Sequence, residues 1–265
     1  MTSPYLAAAR EAALAAGALL RERFGTPRAP RHKSRHDLVT QDDHDAEALI
    51  LAILHQRFPD HAILAEESGA VGGGAGEYRW LIDPLDGTTN YARGLPHFDV
   101  SLALTVSGRV MLGLTYAPVL DELFWALAEG GAFVTRGGHE EPLRVSDTPR
   151  LADALVTTSL PAHDGARKLL RYHTRLVGRS FSQRRPGAAA LDLAYVAAGR
   201  FDAMIHPDIL PWDVAAGLVL VREAGGRVTD FNGHDPSPEA GSVVASNGRF
   251  HEELLRALHA PWADE

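Results

Sequence analysis

Asp83 and Asp86 stand three residues apart in the string Trp80-Leu81-Ile82-Asp83-Pro84-Leu85-Asp86-Gly87-Thr88-Thr89-Asn90. Residues 79–82 are apolar and strand-like. Pro84 cannot donate to a ladder and fixes its own φ, so the strand should end there. Gly87 frees the backbone, and Thr88, Thr89 and Asn90 then bring hydroxyls, an amide and free N–H groups. Carboxylates at a strand end followed at once by a Gly-Thr turn suit hard cations and a phosphate together. Asp86-Gly87 alone would mean no more than a tight turn.

The whole string resembles the first motif of the inositol monophosphatase family, magnesium-dependent and lithium-sensitive phosphomonoesterases. Three further blocks are similar to that family and stand in its order: Asp37-Leu38-Val39-Thr40-Gln41-Asp42-Asp43, then Ala65-Glu66-Glu67-Ser68, then Pro211-Trp212-Asp213-Val214-Ala215-Ala216-Gly217. Residues 223–226, Glu-Ala-Gly-Gly, follow the last of these, and the resemblance runs from about residue 5 to about residue 258.

Hydrolysis of a phosphate ester needs a nucleophilic water, neutralised phosphoryl oxygens and help for the leaving alkoxide. Two or three divalent cations can supply all of these. Mg2+ takes oxygen ligands and keeps several waters. The resemblance implies that Glu66, Asp83 and the Leu85 carbonyl hold one ion. It implies that Asp83, Asp86 and Asp213 hold a second, so Asp83 bridges; a third, weaker ion leans on Glu66. Asp43 and Thr88 match the pair that orients and activates the attacking water, with Glu66 beside them. A threonine hydroxyl can accept from water while donating to a carboxylate. Asp43 also reads as a helix cap, Thr40 as a loop hydroxyl and Asp213 as an acidic residue at a helix start. Glu66 and Glu67 are adjacent, so at a strand end they point to opposite faces; Glu67 reads as a supporting or surface charge. The resemblance places the Gly87 and Thr88 N–H groups on the phosphate, and Asp86, Asp213, Gly187, Ala188 and His206 around the rest of the substrate.

Composition bounds the alternatives. The chain has 265 residues, 45% hydrophobic and 23% charged, with a formal charge of −8. That balance argues against nucleic acid as the main partner. It does not prevent binding of an anionic substrate, because bound cations invert the local field. Cysteine is absent, which fits a reducing cytoplasm. The alanine-rich start carries Arg10, Glu11, Arg21 and Glu22, and reads as neither a signal peptide nor a membrane span.

The elements that must position these residues follow from pattern. Residues 4–24 predict a helix with Ser3 as cap and Pro4 in its first position. Residues 26–35, rich in Pro and Arg, read as a loop whose Lys33 is a candidate for the site mouth. A second helix is expected over 43–58 and a strand over 62–65. Five glycines within residues 69–76 predict a mobile loop; with no strand-turn-helix context they are not a dinucleotide site. Residues 78–134 are strand-rich, with a hairpin at Ser107-Gly108-Arg109. Beyond about 149, strands (154–158, 203–205, 227–229, 243–245) alternate with helices (165–176, 187–198, 212–224, 249–259). This predicts an α+β half, 1–149, and an α/β half, 150–265, forming one catalytic unit. The family's αβαβα sandwich agrees. The resemblance also implies a homodimer. The histidines show no ligand spacing, and His163 and His173 read as surface residues.

Two positions depart from the family. Members acting on inositol phosphates commonly place Glu seven residues before the Asp of the second motif; here that position is His206, followed by Pro207 and Asp208. A Gly-Ser pair common in the family is here Gly187-Ala188. These departures weaken an inositol preference and leave sugar phosphates and nucleotide phosphates open. The expected substrate is a small phosphorylated polyol or metabolite, with an inositol-1-phosphate-like ester and broad specificity as the first expectation. Histidinol phosphate is the nearest rival, and a regulatory binding role is the alternative class. Arg184 and Arg185 are candidates to read a second anionic group.

Overall fold

The computed structural model describes residues 3–26, 31–34, 37–72, 76–158, 166–239 and 241–260. The chain starts with helix α1 (Pro4–Arg23), a hairpin of β1 (Arg31–Ser34) and β2 (Asp37–Val39), and helix α2 (Gln41–Arg57). A large sheet follows: β3 (Ala62–Ala65), β4 (Gly69–Val71), β5 (Tyr78–Asp86), then the short helix α3 (Thr88–Ala92), β6 (Asp99–Val106), β7 (Arg109–Ala117), β8 (Glu122–Leu127), β9 (Gly131–Arg136) and β10 (His139–Pro142). The rest of the chain is β11 (Leu155–Thr158), α4 (Ala166–Leu176), β12 (Ser182–Arg184), α5 (Ala189–Ala197), β13 (Ala203–Ile209), α6 (Pro211–Glu223), β14 (Arg227–Thr229), β15 (Gly241–Ser246) and α7 (His251–His259).

Apolar faces stack these elements into five layers. Ala9, Ala13, Leu20, Ile50 and Leu54 of α1 and α2 pack on Trp80, Ile82, Leu102 and Leu104 of the large sheet. The other face of that sheet receives α5 and α6, whose Leu191, Leu193, Leu218 and Leu220 also cover Met204, Val243 and Ala245 of the small sheet. Leu176 of α4 with Leu254 and Leu258 of α7 closes the far side, against Val156, Ile205 and Val244. The order is helix, sheet, helix, sheet, helix, as expected. The large sheet runs β10-β9-β8-β7-β6-β5-β3-β4, with β3 parallel to β5; the small sheet runs β12-β11-β13-β15-β14.

Several elements differ from expectation for local reasons. The 26–35 segment contains β1, paired antiparallel with β2; the side chain of Lys33 lies outside the described residues. Helix α2 starts at Gln41 because Thr40 caps it. Within 69–76, β4 pairs with β3 and extends the sheet edge, while residues 73–75 fall outside the described set. Ser3 caps α1 without a side-chain hydrogen bond. Strand β13 runs on to Ile209; a register shift between His206 and Ile209 absorbs Pro207. Ser107 (φ 50°) and Gly108 (φ 79°) make the expected hairpin turn. His173 is partly buried, its Nδ1 at 3.0 Å from the Thr158 hydroxyl, rather than on the surface; His163 lies outside the described residues.

Helix α6 lies directly on the large sheet because β7 offers Gly113. A Cβ there would come within 2.4 Å of the Ala216 carbonyl oxygen and 2.8 Å of its Cα. Gly113→Ala must push away the helix that carries Asp213. We expect a stability loss of about 2 kcal/mol, the usual scale of overpacking, read by urea denaturation. A loss below about 0.5 kcal/mol, the range of ordinary surface changes, would show that the layers are not in contact here.

Candidate active site

The site forms where β3, β5 and β6 end beneath the start of α6. Side chains alternate along these strands. Trp80 and Ile82 face α1 and α2, whereas Leu81 packs with Ala103, Ala215 and Ala216 on the α6 side. Asp83 shares the parity of Leu81, so it faces α6 as well. Glu66, just past β3, shares the parity of Leu64, which also packs on that side. Glu67 therefore starts toward the opposite face. Its N–H donates to Oε2 of Glu47 at 2.9 Å, and the Ser68 hydroxyl donates to the other oxygen of Glu47. Glu47, on α2 and 2% exposed, thus holds the turn that presents Glu66.

Pro84 does not end β5 as expected: the strand runs on to Asp86, because a bulge takes up the ladder bond that Pro cannot make. The Asp83 carboxylate turns back to accept from the Leu85 N–H at 2.9 Å, and pairing slips between Asp83 and Asp86. Asp213 sits in the first turn of α6, with Leu210 as cap and Pro211 in the first position. Carboxylate oxygens of Asp83, Asp86 and Asp213 all lie within 4.8 Å of one another. Burial and mutual repulsion push these acids up. Asp83 is raised well above the ordinary range by burial, then by Glu66, Asp86 and Asp213. Asp213 is raised likewise by burial, Asp86 and Glu66. Burial raises Asp86 to about 7. The Glu66 charge is felt by all three, which places it beside them.

Asp43 and Thr88 meet. The Thr88 hydroxyl lies 3.0 Å from Oδ1 of Asp43 and 3.1 Å from the Leu85 carbonyl oxygen. It donates to one of these and keeps lone pairs free to accept from a water. Oδ2 of Asp43 takes the Thr40 N–H at 2.8 Å and the Thr40 hydroxyl at 2.6 Å. Asp43 is therefore a capping-box residue and a partner of Thr88 at once. Burial raises its pKa, opposed by the hydrogen bonds from Thr40.

The remaining expected residues spread around this centre. Gly87, at φ 88°, caps the short helix that starts at Thr88. A Cβ on Gly87 would lie 3.0 Å from the His97 carbonyl oxygen and 3.2 Å from the Ala188 Cβ, so Gly87 and Ala188 are neighbours. Gly187 is exposed. Ala188 is the N-cap of α5 and has no side chain able to cap it. Asp86 supplies the missing bond instead: its Oδ2 accepts from the Ala190 N–H at 2.7 Å. Asn90 joins the loops, donating to the carbonyls of His97 (2.7 Å) and Pro186 (2.9 Å).

His206 faces the middle helix layer, on the same side of β13 as Met204, and is 7% exposed. Its Nδ1 accepts weakly from the Asp208 N–H at 3.4 Å. Burial lowers its pKa to about 4, with Asp208 opposing and Arg185 adding to the shift. His206 is a neutral imidazole at pH 7. Arg184 is exposed and bonded to Ser182 and the Gln183 carbonyl. Among the described hydrogen bonds none joins His206 to the acidic cluster.

Sequence reasoning missed Asp99. It is 0% exposed, opposite Asp86 on β6, and meets the Asp86 carboxyl while no other donor reaches either of its oxygens. Glu47 was missed as well. Both read as ordinary polar residues of a strand and a helix; only the layer covering each reveals them.

The donor set fits hard divalent cations. Every group is a carboxylate or carbonyl oxygen, Asp99 is buried against Asp86 with no other donor, and among the described residues no cation pairs with Asp83, Asp86 or Asp213. Buried anions at this density persist only with cations or protons between them.

Comparison with known proteins supports the same chemistry. The model of the inositol monophosphatase family matches residues 1–262. Nus factor SuhB of Escherichia coli K12 is 40% identical, over 98% of each chain. An inositol-1-monophosphatase of Synechocystis is 42% identical, over 97% of this chain and 89% of that one. Among solved structures, inositol monophosphatase from Anabaena superposes with a TM-score of 0.87 at 41% identity, covering 98% of this chain and 97% of that one. Extragenic suppressor protein SuhB from Bartonella henselae does so with a TM-score of 0.90 at 37% identity, covering 98% and 100%.

Proposed function

Because this chain belongs to the inositol monophosphatase family, we propose that it hydrolyses small phosphate monoesters with magnesium ions held by Glu66, Asp83, the Leu85 carbonyl, Asp86 and Asp213. The observation that carries this reading is the buried, unneutralised set of Asp83, Asp86 and Asp213 within 4.8 Å of one another. Bound there, the ions supply charge for the phosphoryl oxygens and acidify the attacking water. The chain's own residues do the rest. Thr88, held by Asp43, accepts a hydrogen bond from that water and fixes its approach. Glu66 lies on the same side as Asp83 and adds negative charge beside it. The N–H groups of Gly87 and Thr88 receive the phosphate, and the segment Gly187-Ala188 walls the pocket opposite Gly87.

Specificity rests on the far side of the pocket. Asp86 and Asp213 are the proposed acceptors for hydroxyls next to the ester, and His206 stands where a carboxylate would meet more of them. A neutral imidazole has one acceptor nitrogen, and here Nδ1 already faces the Asp208 N–H, which leaves Nε2–H as a donor. The preferred substrate is inositol-1-phosphate-like, with broad tolerance; histidinol phosphate is the rival. His206→Glu is expected to raise kcat/KM for inositol-1-phosphate about tenfold, a gain of roughly 1.4 kcal/mol from recovered hydrogen bonds. A small ester without neighbouring hydroxyls should gain nothing. If Asp208 already reads those hydroxyls, Asp208→Ala is the damaging change and His206→Glu is neutral.

The deciding experiment is phosphate release from inositol-1-phosphate, histidinol phosphate, fructose-1,6-bisphosphate and phosphoadenosine phosphate, with and without chelator. Lithium should inhibit, in a manner that depends on the Mg2+ concentration, by competing at Asp83, Asp86 and Asp213. No inhibition at tens of millimolar, roughly the level a weakly held monovalent competitor needs, would count against that assignment. Release unaffected by chelator would end the proposal. A second reading is that the chain also joins transcription factors, as the Nus factor name of the Escherichia coli relative suggests. It is compatible with catalysis, and Asp83→Asn would separate them by removing hydrolysis alone. A homodimer is proposed on the family's pattern.

A further inference from the structure

We propose that Asp99 is a further acidic member of the cation site formed by Asp86 and Asp213, adding a negative charge that tightens the hold on a divalent cation there. This rests on the magnesium reading above, but the residue lies outside the ligand set that the family resemblance implies.

Placement makes the first argument. Asp99 pairs with Asp86 across β5 and β6. Along β6 the residues of the same parity face α6: Ala103 packs on Ala215 and Ala216, and the Ser101 hydroxyl donates to the Trp212 carbonyl at 3.1 Å. Trp212 immediately precedes Asp213. Asp99 is one further step along that face, so its carboxyl meets Asp86 on the neighbouring strand, on the side that α6 and Asp213 cover. Each of those acids raises the pKa of Asp99, as does burial, which is the largest cause.

The second argument is the lack of any other use. Asp99 is 0% exposed and no hydrogen-bond donor of the protein reaches either oxygen; its close partner is another acid, the Asp86 carboxyl. A buried carboxylate without partners costs several kcal/mol, so it is retained only where something neutralises it. A structural role at the start of α5 is not open, because Asp86 already receives the Ala190 N–H. Neighbouring Asp192 shows the contrast: its oxygens are met by His97 at 2.9 Å and Thr157 at 2.7 Å. Asp99 has no such donor; it meets the carboxyl of Asp86, and two acids in contact require a proton or a cation between them.

The test is Mn2+ binding to the full-length, chelator-stripped protein, followed by calorimetry and by the electron paramagnetic resonance of free Mn2+. Wild type, Asp99→Asn and Asp99→Ser are compared, with Asp83→Asn as the control that damages the site. Wild type should take up at least two ions. Asp99→Asn, nearly isosteric, should weaken one of them about tenfold or more and leave the other unchanged. Asp99→Ser should do the same and guards against an effect of the amide. In chelator both variants should melt higher than wild type, because a buried charge has gone. Isotherms of both variants that overlay wild type would overturn the inference while leaving the phosphatase reading intact. A wild type that takes up no Mn2+ would sink the phosphatase reading itself.

Discussion

Asp83→Asn is expected to lower phosphate release by at least a thousandfold. The substitution keeps the shape, and an amide oxygen can still accept the Leu85 N–H at the Pro84 bulge. What disappears is the charge that faces both Asp86 and Asp213 and lies beside Glu66. A cation in such a site contributes several kcal/mol of transition-state stabilisation, and about 4 kcal/mol is three decades in rate. Asp86→Asn should cost less, on the order of ten- to a hundredfold. One oxygen of Asp86 is already committed to the Ala190 N–H at the start of α5, so it has a single oxygen to offer. Mn2+ titration of both variants should show two weakened sites for Asp83→Asn and one for Asp86→Asn. Equal losses in rate and in metal affinity would show that Asp83 does not bridge.

The second large effect is on stability against pH with and without Mg2+. Asp86 titrates at about 7 when folded and at about 3.9 when unfolded. Between those values the folded chain binds more protons than the unfolded one, so stability falls as pH rises. Asp83 and Asp213 shift in the same direction. Their contribution is full below the unfolded pKa and is lost as pH climbs through the folded one. Stripped protein should therefore melt lower at pH 8 than at pH 6. Mg2+ should restore the loss, by an amount on the order of a few kcal/mol. At roughly 2–4 °C per kcal/mol for a chain of this size, that is a Tm gain of about 10 °C at pH 8 and far less at pH 6.

The acid side has other owners. His206 and His251 are both lowered to about 4, below the unfolded value of about 6.5. His251 is buried between the hydroxyls of Ser246 (2.8 Å) and Thr229 (2.9 Å). Through these two groups the unfolded chain binds more protons, so their contribution to stability falls as pH drops from about 6.5 toward about 4; it opposes the carboxylates in stripped protein and is seen undiluted once Mg2+ is bound. A stripped protein whose Tm is flat from pH 6 to 8 would contradict the buried-carboxylate account.

How far the sequence carried the reading depended on whether each signal was local. The Ser107-Gly108 turn and the start of α6 are set by two or three adjacent residues, and the chain's own stereochemistry decides them; Pro84, read as a strand end, is instead carried inside β5 by a bulge. Ile205 to Ile209 was harder, since Pro207 reads as a strand breaker; the strand continues because the bulge removes the ladder bond Pro cannot make. Ala188 read only as a departure from a Gly-Ser pair; that it also stands at a helix cap, where a carboxylate from distant β5 makes the bond, was not local information. Asp99 escaped because alternation over Asp99, Val100, Ser101 and Leu102 is what a half-solvated strand shows. That face is covered by α6, which the sequence supplies much later.

Asp43 leaves one consequence. Its two oxygens belong to different affairs: one closes the first turn of α2, the other steadies the hydroxyl of Thr88. Helix ends are the first parts of a fold to open, at a small fraction of the global cost. On the proposed mechanism, each brief fraying of that turn is expected to unmoor the hydroxyl that guides the attacking water, so that warming dims catalysis at the edge of the outermost layer before the interior gives way.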